Sequence, residues 1–241
     1  LGIMKSGACI VPISTLLTPK QVATLIGDSG AQCLITDANN HSLASSALDE
    51  LSTEFTGTLL VDGAETPGWQ GLNAWHQQAT SDEPPVRYQL QDDFNIIYSS
   101  GTTGTPKGIV QTHRARQHWS YSNALELRMD SNTIALATTS LYSNGTWFML
   151  LPPLFVGGTV VIMEGFAAQD WLKLVAQEKV THSFMVPTQY IAVLESEALQ
   201  NTNLESVRYL LSAGSPLRQD TKDAVIASIS AGLFELYGFS E

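Results

Sequence analysis

The stretch that most constrains this chain is residues 98–108, which read YSSGTTGTPKG. Of the seven residues from 99 to 105, five carry hydroxyl groups and two are glycine, and Lys107 follows directly after Pro106. Glycines let a backbone approach a ligand closely, hydroxyl groups donate to phosphate oxygens, and backbone N–H groups in such loops form an anion-binding concavity. Lysine adds a point charge. These residues predict a loop that binds an oligophosphate.

The residues around the loop exclude the common P-loop arrangement. That motif continues from Gly-Lys-Ser/Thr into a helix, whereas Lys107 is followed by Gly108, Ile109 and Val110, which predict a strand. Residues 94–98 predict the strand that enters the loop. A flexible Gly/Ser/Thr linker is the alternative, but linkers rarely lie between two apolar strands. We therefore expect a strand–loop–strand unit.

The motif, followed by Thr112 and His113, resembles the signature of the adenylate-forming (AMP-binding) enzymes. Residues 212–217, SAGSPL, resemble the adenine-side loop of that family. Residues 236–241, LYGFSE, resemble its Tyr-Gly-x-Thr-Glu motif, with Ser240 in place of Thr. The chain looks most like an acyl-CoA synthetase or fatty-acid CoA ligase, as a fragment of the large N-terminal domain. The resemblance implies an α/β fold with two lobes of largely parallel sheets covered by helices.

The resemblance also implies an ATP site. The loop would hold the β- and γ-phosphates, with Thr102, Thr103 and Lys107 as catalytic residues. Ser240 would donate to the α-phosphate and Glu241 would ligate Mg²⁺, which makes both of them catalytic. Tyr237 would stack on the adenine. The expected ATP-binding residues are Ser99, Ser100, Gly101, Thr102, Thr103, Gly104, Thr105, Lys107, Gly214, Ser215, Pro216, Tyr237, Gly238 and Ser240.

A second segment predicts the acid-binding pocket. Ser143 stands where many family members carry His, and a small residue there opens the pocket entrance. The candidate lining is uncharged and largely apolar, which suits an aliphatic or small aromatic acid, and it lacks an Asp to pair with an α-amino group. Trp147 is favoured as a core residue over a pocket wall. The expected substrate-binding residues are Tyr142, Ser143, Asn144, Trp147, Val186 and Tyr190.

The order of apolar runs predicts the organisation of the chain. Thr18, Pro19 and Gln21 predict a helix start, and Gly30 predicts its end. A buried strand is expected over residues 8–13. From residue 133 onwards strands and helices alternate, which favours parallel sheets. We expect a first lobe over residues 1–130, with the phosphate loop, and a second over residues 131–241, with the adenine and acyl-pocket segments.

Composition limits the partners. The net charge of −11 argues against a nucleic-acid surface, and no apolar run is long enough for a membrane span. Cys9 and Cys33 are expected to be buried free thiols in a reducing compartment, which predicts a cytoplasmic protein. Peripheral membrane association is left open, as is the oligomeric state. The expected partners are a small carboxylic acid, ATP and coenzyme A.

The expected activity is ATP-dependent conversion of a fatty or related aliphatic acid to acyl-AMP, followed by transfer to coenzyme A. An adenylation domain that loads a carrier protein is the first alternative, and a non-catalytic nucleotide-binding remnant is the second. The chain begins at Leu1, in a predicted helix, and stops at Glu241, inside a motif. We therefore expect a fragment that lacks the C-terminal remainder of the enzyme and is inactive alone.

Overall fold

The computed structural model describes residues 2–80, 82–99, 106–229 and 232–238. The chain divides into two compact units, Leu1–His113 and Arg114–Glu241. This boundary differs from the expected one at residue 130, because residues such as Ala124 pack with Phe148 and Phe184 of the second unit. The two lobes expected from the sequence, residues 1–130 and 131–241, stay a prediction.

The first unit contains a parallel sheet and an antiparallel hairpin. Its elements are α1 (Gly2–Lys5), α2 (Pro19–Ser29), β1 (Cys33–Asp37), α3 (His41–Asp49), β2 (Thr58–Asp62), β3 (Gln70–Gly71), α4 (Leu72–Gln77), β4 (Asp93–Ser99) and β5 (Lys107–Thr112). Strands β1, β2 and β3 pair in parallel in that order, and β4 pairs antiparallel with β5. The two strands predicted on either side of the loop are confirmed. The strand expected over residues 8–13, all of which are described, is wrong: Ile10 alone forms a bridge, to Asn95.

Helix α2 forms where the sequence predicts it. The Thr18 side chain accepts a hydrogen bond from the backbone N–H of Gln21, and the Thr18 N–H donates to Gln21 Oε1, which together make a capping box. Gly30 ends the helix in the left-handed conformation. The apolar face of α2 buries Val22 and Ile26 in the core of this unit.

Strand β1 is an edge strand whose two faces differ. Leu34 packs against the core formed by α2 and α3, whereas Cys33 points to the opposite, exposed face. Both thiols are free, but Cys33 is exposed and Cys9 is half-buried. The prediction of two buried thiols is therefore wrong, because the sequence pattern does not reveal which face of the sheet the helices cover.

The second unit alternates strands with helices. Its elements are α5 (His113–Glu126, which begins at the boundary between the units), β6 (Ile134–Ala137), the 3₁₀ helix Asn144–Met149, α6 (Leu151–Phe155), β7 (Thr159–Ile162), α7 (Ala168–Glu178), β8 (His182–Met185), α8 (Pro187–Leu194), the 3₁₀ helix Leu199–Asn201, β9 (Tyr209–Ser212), α9 (Gln219–Ser228) and β10 (Leu233–Glu235). The predicted alternation and the α/β class are confirmed.

The five strands that the structure describes in this unit form one parallel sheet in the order β10-β9-β8-β6-β7. The chain leaves β6 for β7 on one side and then crosses to β8 on the other. The loops after β6 and β8 therefore run in opposite directions, which opens a crevice at the carboxyl ends of these two strands. Open α/β sheets bind their ligands at such a crevice.

The sheet of the second unit is buried at its centre. All four residues of β8 are buried, and α7 packs Trp171, Leu172 and Val175 onto the sheet. None of the helices in the described part of the chain is long and apolar enough to cross a membrane.

Candidate functional site

The hairpin β4–β5 holds the two ends of the predicted phosphate loop. Ser99 pairs with Lys107 and Tyr98 pairs with Gly108, so the last rung of the ladder closes the base of the loop. Lys107 is exposed. The other predicted loop residues, Ser100, Gly101, Thr102, Thr103, Gly104 and Thr105, lie outside the described residues.

Tyr98 anchors this base to helix α2. Its hydroxyl group donates to Asp28 Oδ2 at 2.6 Å, and burial together with this hydrogen bond raises the pKa of Tyr98. Gly108 leaves room for the ring, since a Cβ at that position would lie 3.1 Å from Tyr98 Cε1. Sequence reasoning included both residues in the motif but missed their packing, which depends on the register of the hairpin.

In the second unit, the predicted site residues follow the carboxyl ends of neighbouring parallel strands. Because parallel strands end at one edge of a sheet, the structure brings these segments to a single edge. Tyr142, Ser143 and Asn144 follow β6, Val186 follows β8, Gly214, Ser215 and Pro216 follow β9, and Tyr237 and Gly238 follow β10. Ser240 and Glu241 lie outside the described residues.

A cavity of about 310 Å³ lies at this edge. It is lined by Thr138, Thr139, Ser140, Tyr142, Ser143, Met163, Glu164, Gly165 and Phe166. Five of its residues carry hydroxyl groups and Glu164 carries a carboxylate, so this cavity is more polar than the lining expected from the sequence. It contains only Tyr142 and Ser143 of the expected pocket residues, and the apolar acid pocket stays a prediction. Glu164 follows β7, and only the pairing of β6 with β7 brings it beside the predicted segment.

The segment after β6 is folded by its own hydrogen bonds. The hydroxyl group of Thr146 donates to the carbonyl oxygen of Ser140 at 2.6 Å, and the backbone N–H of Ser143 donates to the same carbonyl at 2.9 Å. The indole N–H of Trp147 donates to the carbonyl oxygen of Leu141 at 2.9 Å. These bonds form a compact turn that leads into the 3₁₀ helix.

Two predicted pocket residues lie in the core. Trp147 is buried, as favoured from the sequence, and Tyr190 is buried completely. The hydroxyl group of Tyr190 donates to the carbonyl oxygen of Leu211 at 3.0 Å, and burial raises its pKa. Neither residue lines the 310 Å³ cavity, so their assignment to the acid pocket stays a prediction.

Sequence reasoning missed Arg116 of α5. Its guanidinium group is buried with Trp119 and Trp147, whose ring centroids lie 5.2 and 4.9 Å from Arg116 Cζ. Arg116 Nη2 donates to Asn144 Oδ1 at 2.9 Å. Burial lowers the pKa of Arg116 to about 10, so it stays charged at neutral pH. Arg116 and Trp119 are three residues apart, which places them on one face of a helix, and this spacing is the sequence signal that could have indicated their contact.

The loop after β9 is tied to β10. The backbone N–H of Leu217 donates to Glu235 Oε1 at 2.8 Å, and Lys222 Nζ lies 2.6 Å from Glu235 Oε2. The hydrogen bond from Lys222, followed by that from Leu217, lowers the pKa of Glu235. Gly214 takes a left-handed conformation, with φ of 94°. Tyr237 is 87% exposed.

The sequence profile of the AMP-binding enzyme family matches residues 1–241 of this chain. The chain belongs to this family. It is 32% identical to 4-coumarate–CoA ligase 2 of Solanum tuberosum over 100% of this chain and 45% of the relative, and 32% identical to feruloyl-CoA synthase of Amycolatopsis sp. over 90% and 41%. The structure of the anthranilate CoA ligase AuaEII in complex with anthranoyl-AMP matches with a TM-score of 0.87 and 26% identity, covering 97% of this chain and 45% of that protein.

This AMP-binding enzyme chain spans less than half the length of the curated relatives named here. Within it, the described residues contain no group of three or more His, Cys, Asp or Glu side chains that could hold a metal ion. The predicted Mg²⁺ ligand, Glu241, stays a prediction. The described residues at this edge include a polar cavity and the exposed Tyr237.

Proposed function

We propose that the complete protein carrying these residues is an acid–thiol ligase. It joins a carboxylic acid to ATP to give acyl-AMP and then transfers the acyl group to coenzyme A. In the first step a carboxylate oxygen attacks the α-phosphorus of ATP, and the bond to pyrophosphate breaks. In the second step the thiol sulphur attacks the acyl carbonyl carbon, its proton is lost and AMP leaves.

One observation carries this proposal: the segments predicted to bind adenine and acid follow adjacent parallel strands at one edge of the sheet. The first step joins two anions, so an enzyme gains most by aligning them and offsetting their charge. A single edge that presents both segments supports such alignment. The match of the family profile to the whole chain supports the same chemistry.

The proposed roles follow the sequence motifs. Thr102, Thr103 and Lys107 would hold the β- and γ-phosphates, and Tyr237 would stack on adenine. Ser240 would donate to the α-phosphate. Mg²⁺, when bound through Glu241, would offset charge on the phosphate oxygens.

For the acid, we favour a small aromatic acid with a polar substituent over a long aliphatic acid. The cavity beside Tyr142 and Ser143 is polar and bordered by Glu164, which disfavours a bare hydrocarbon chain. Three similar proteins are named for 4-coumarate, feruloyl and anthranilate groups, all of them aromatic with a hydroxyl or amino substituent. The aliphatic acid expected from the sequence is the alternative.

The test is ATP–pyrophosphate exchange by the complete protein with matched acids. Cinnamate and 4-hydroxycinnamate differ only by one hydroxyl group, and butyrate, octanoate and palmitate sample aliphatic chains. We expect kcat/KM to be about 10-fold or more higher for 4-hydroxycinnamate than for cinnamate. Preference for the fatty acids would refute the aromatic assignment and leave the ligase proposal intact.

A second measurement separates the alternatives. Acyl-CoA formation from added coenzyme A supports the ligase, whereas acylation of a phosphopantetheinyl carrier protein in preference to coenzyme A supports the loading domain. ATP binding without exchange for any acid supports the remnant. Lys107→Ala is a matched variant that should slow exchange without changing the order of acid preference, because it lies on the phosphate side.

A further inference from the structure

The most unusual side chain in the second unit is the buried guanidinium group of Arg116. Arg116 is 2% exposed and lies on α5, outside every segment to which a role was assigned. Burying a cation is costly unless hydrogen bonds and favourable electrostatic contacts compensate. The contacts of Arg116 therefore indicate which groups offset the free energy cost of burying its charge.

Two of those contacts reach the segment predicted to bind the acid. Arg116 Nη2 donates to Asn144 Oδ1 at 2.9 Å, and the guanidinium carbon lies 4.9 Å from the centroid of Trp147. Asn144 is the first residue of the 3₁₀ helix and Trp147 lies one turn later. A planar guanidinium group can make a directed hydrogen bond at its edge and stack on aromatic rings with its face.

Arg116 adds a hydrogen bond that joins the segment to a separate helix. The bonds from Thr146 and Ser143 to Ser140, and from Trp147 to Leu141, all join residues within the turn. Arg116 reaches the turn from a separate helix and also contacts Trp119 of that helix, at 5.2 Å. The hydrogen bond to Asn144 fixes the side chain next to Ser143, which lines the cavity.

We propose that Arg116 is a positioning residue for acid recognition. It holds Asn144 and Trp147, and through them sets the shape of the cavity wall at Tyr142 and Ser143. The inference rests on the proposed function, since it assumes that this cavity receives the acid. A misplacement of about 1 Å in such a wall can cost about 100-fold in rate, so loss of Arg116 should weaken acid use selectively.

The experiment measures pyrophosphate exchange by the complete protein with 4-hydroxycinnamate or whichever acid the wild type uses best. Arg116→Met keeps much of the volume and removes the charge and the donors. We expect it to raise KM for the acid about 10-fold or more and to change KM for ATP by less than about twofold. Arg116→Lys should resemble Arg116→Met, because an ammonium group does not reproduce the planar stack and edge contact.

Arg114→Met is the matched control, because Arg114 lies on the same helix and is exposed. It should leave both KM values unchanged. Asn144→Ala completes a double-mutant cycle with Arg116→Met. If Arg116 acts through Asn144, Arg116→Met should have little further effect in the Asn144→Ala background. If Arg116→Met has the same effect in the Asn144→Ala background as in the wild type, the proposal that Arg116 acts through Asn144 is overturned.

The outcomes separate the two proposals. A wild-type protein that exchanges pyrophosphate with no acid refutes the proposed function. An active wild type whose Arg116→Met variant loses efficiency equally toward acid and ATP, or loses none, refutes the role of Arg116. If Arg116→Met does not fold, the KM values of Arg116→Lys decide: full wild-type behaviour would show that a charge suffices and would overturn positioning by the guanidinium geometry.

Discussion

Replacing Gly108 by Ala tests how tightly the base of the phosphate loop is packed. Gly108 lies opposite Tyr98 in the β4–β5 hairpin. The added Cβ would lie 3.1 Å from Ile96 Cγ2 and from Tyr98 Cε1, and 3.2 Å from Tyr98 Cζ. Carbon atoms pack best at about 3.5–4.0 Å, so two side chains would have to move by several tenths of an ångström.

The direction of the effect depends on whether Tyr98 can move. Its hydroxyl group is held by Asp28 at 2.6 Å, so a shift of the ring also strains that hydrogen bond. Overpacking costs about 1–3 kcal/mol, whereas Gly→Ala stabilises by about 0.4–1 kcal/mol through the unfolded chain. The expected net loss in the free energy of unfolding is about 1–2 kcal/mol.

The assay is urea denaturation of the full chain, combined with hydrogen exchange of the β4 and β5 amides. Amide hydrogen exchange shows whether the loss of stability lies in the hairpin. We expect the β4 and β5 amides to exchange faster in Gly108→Ala. Gly27→Ala is the control, because Gly27 lies in α2 and a Cβ there would meet no atom within 4 Å. That change should stabilise the chain by about 0.5–1 kcal/mol.

Stabilisation of Gly108→Ala to the same extent as Gly27→Ala would refute the packing argument. So would unchanged exchange in β4 and β5 together with an unchanged free energy of unfolding. In either case Tyr98 would have space to move, and its bond to Asp28 would not fix the ends of the loop.

Three other outcomes are expected. In the complete enzyme, Lys107→Ala should slow pyrophosphate exchange roughly 10- to 100-fold, which corresponds to about 1.4–2.7 kcal/mol of transition-state stabilisation; wild-type exchange would exclude a role for the charge. Tyr190→Phe should lower the free energy of unfolding by about 1–2 kcal/mol in urea denaturation, because the carbonyl oxygen of Leu211 loses a buried donor; equal stability would contradict this. Glu235 has a lowered pKa in the folded chain, so its ion pair with Lys222 should stabilise at neutral pH, and this contribution should be lost as the pH falls through the folded-state pKa. The difference in melting temperature between wild type and Glu235→Gln should therefore shrink on acidification, and a pH-independent difference would be evidence against the pair.

Local signals explain what the sequence predicted well. The cap at Thr18 and Gln21 and the stop at Gly30 are contained within one helix, and the structure reproduces them. The alternation of strands and helices after residue 133 likewise predicts a parallel sheet without knowledge of the strand order. Residues 8–13 failed as a strand because an apolar run becomes one only if a partner offers a continuous ladder, and Ile10 finds a single bridge.

The features that sequence reasoning missed all depend on tertiary contacts. Glu164 enters the cavity because β7 pairs with β6, and Arg116 is buried because the turn at Asn144 folds back onto α5. Cys33 is exposed because helices cover only the other face of β1. The pairing of residues far apart in the chain decides each of these, whereas hydrophobic periodicity reports only on neighbours.

The strand order of the second unit also determines the order in which its strands can pair during folding. Strand β6 pairs on one side with β8, which the chain reaches only after β7 and α7. Pairing across such a separation loses loop-closure entropy before the contacts between the strands can compensate for it. It is therefore intrinsically slow. A nascent chain that ends before His182 has the segments after β6 and β7 but no crevice between β6 and β8. Ligand-dependent protection from proteolysis should therefore arise only after β8 has emerged from the ribosome and docked.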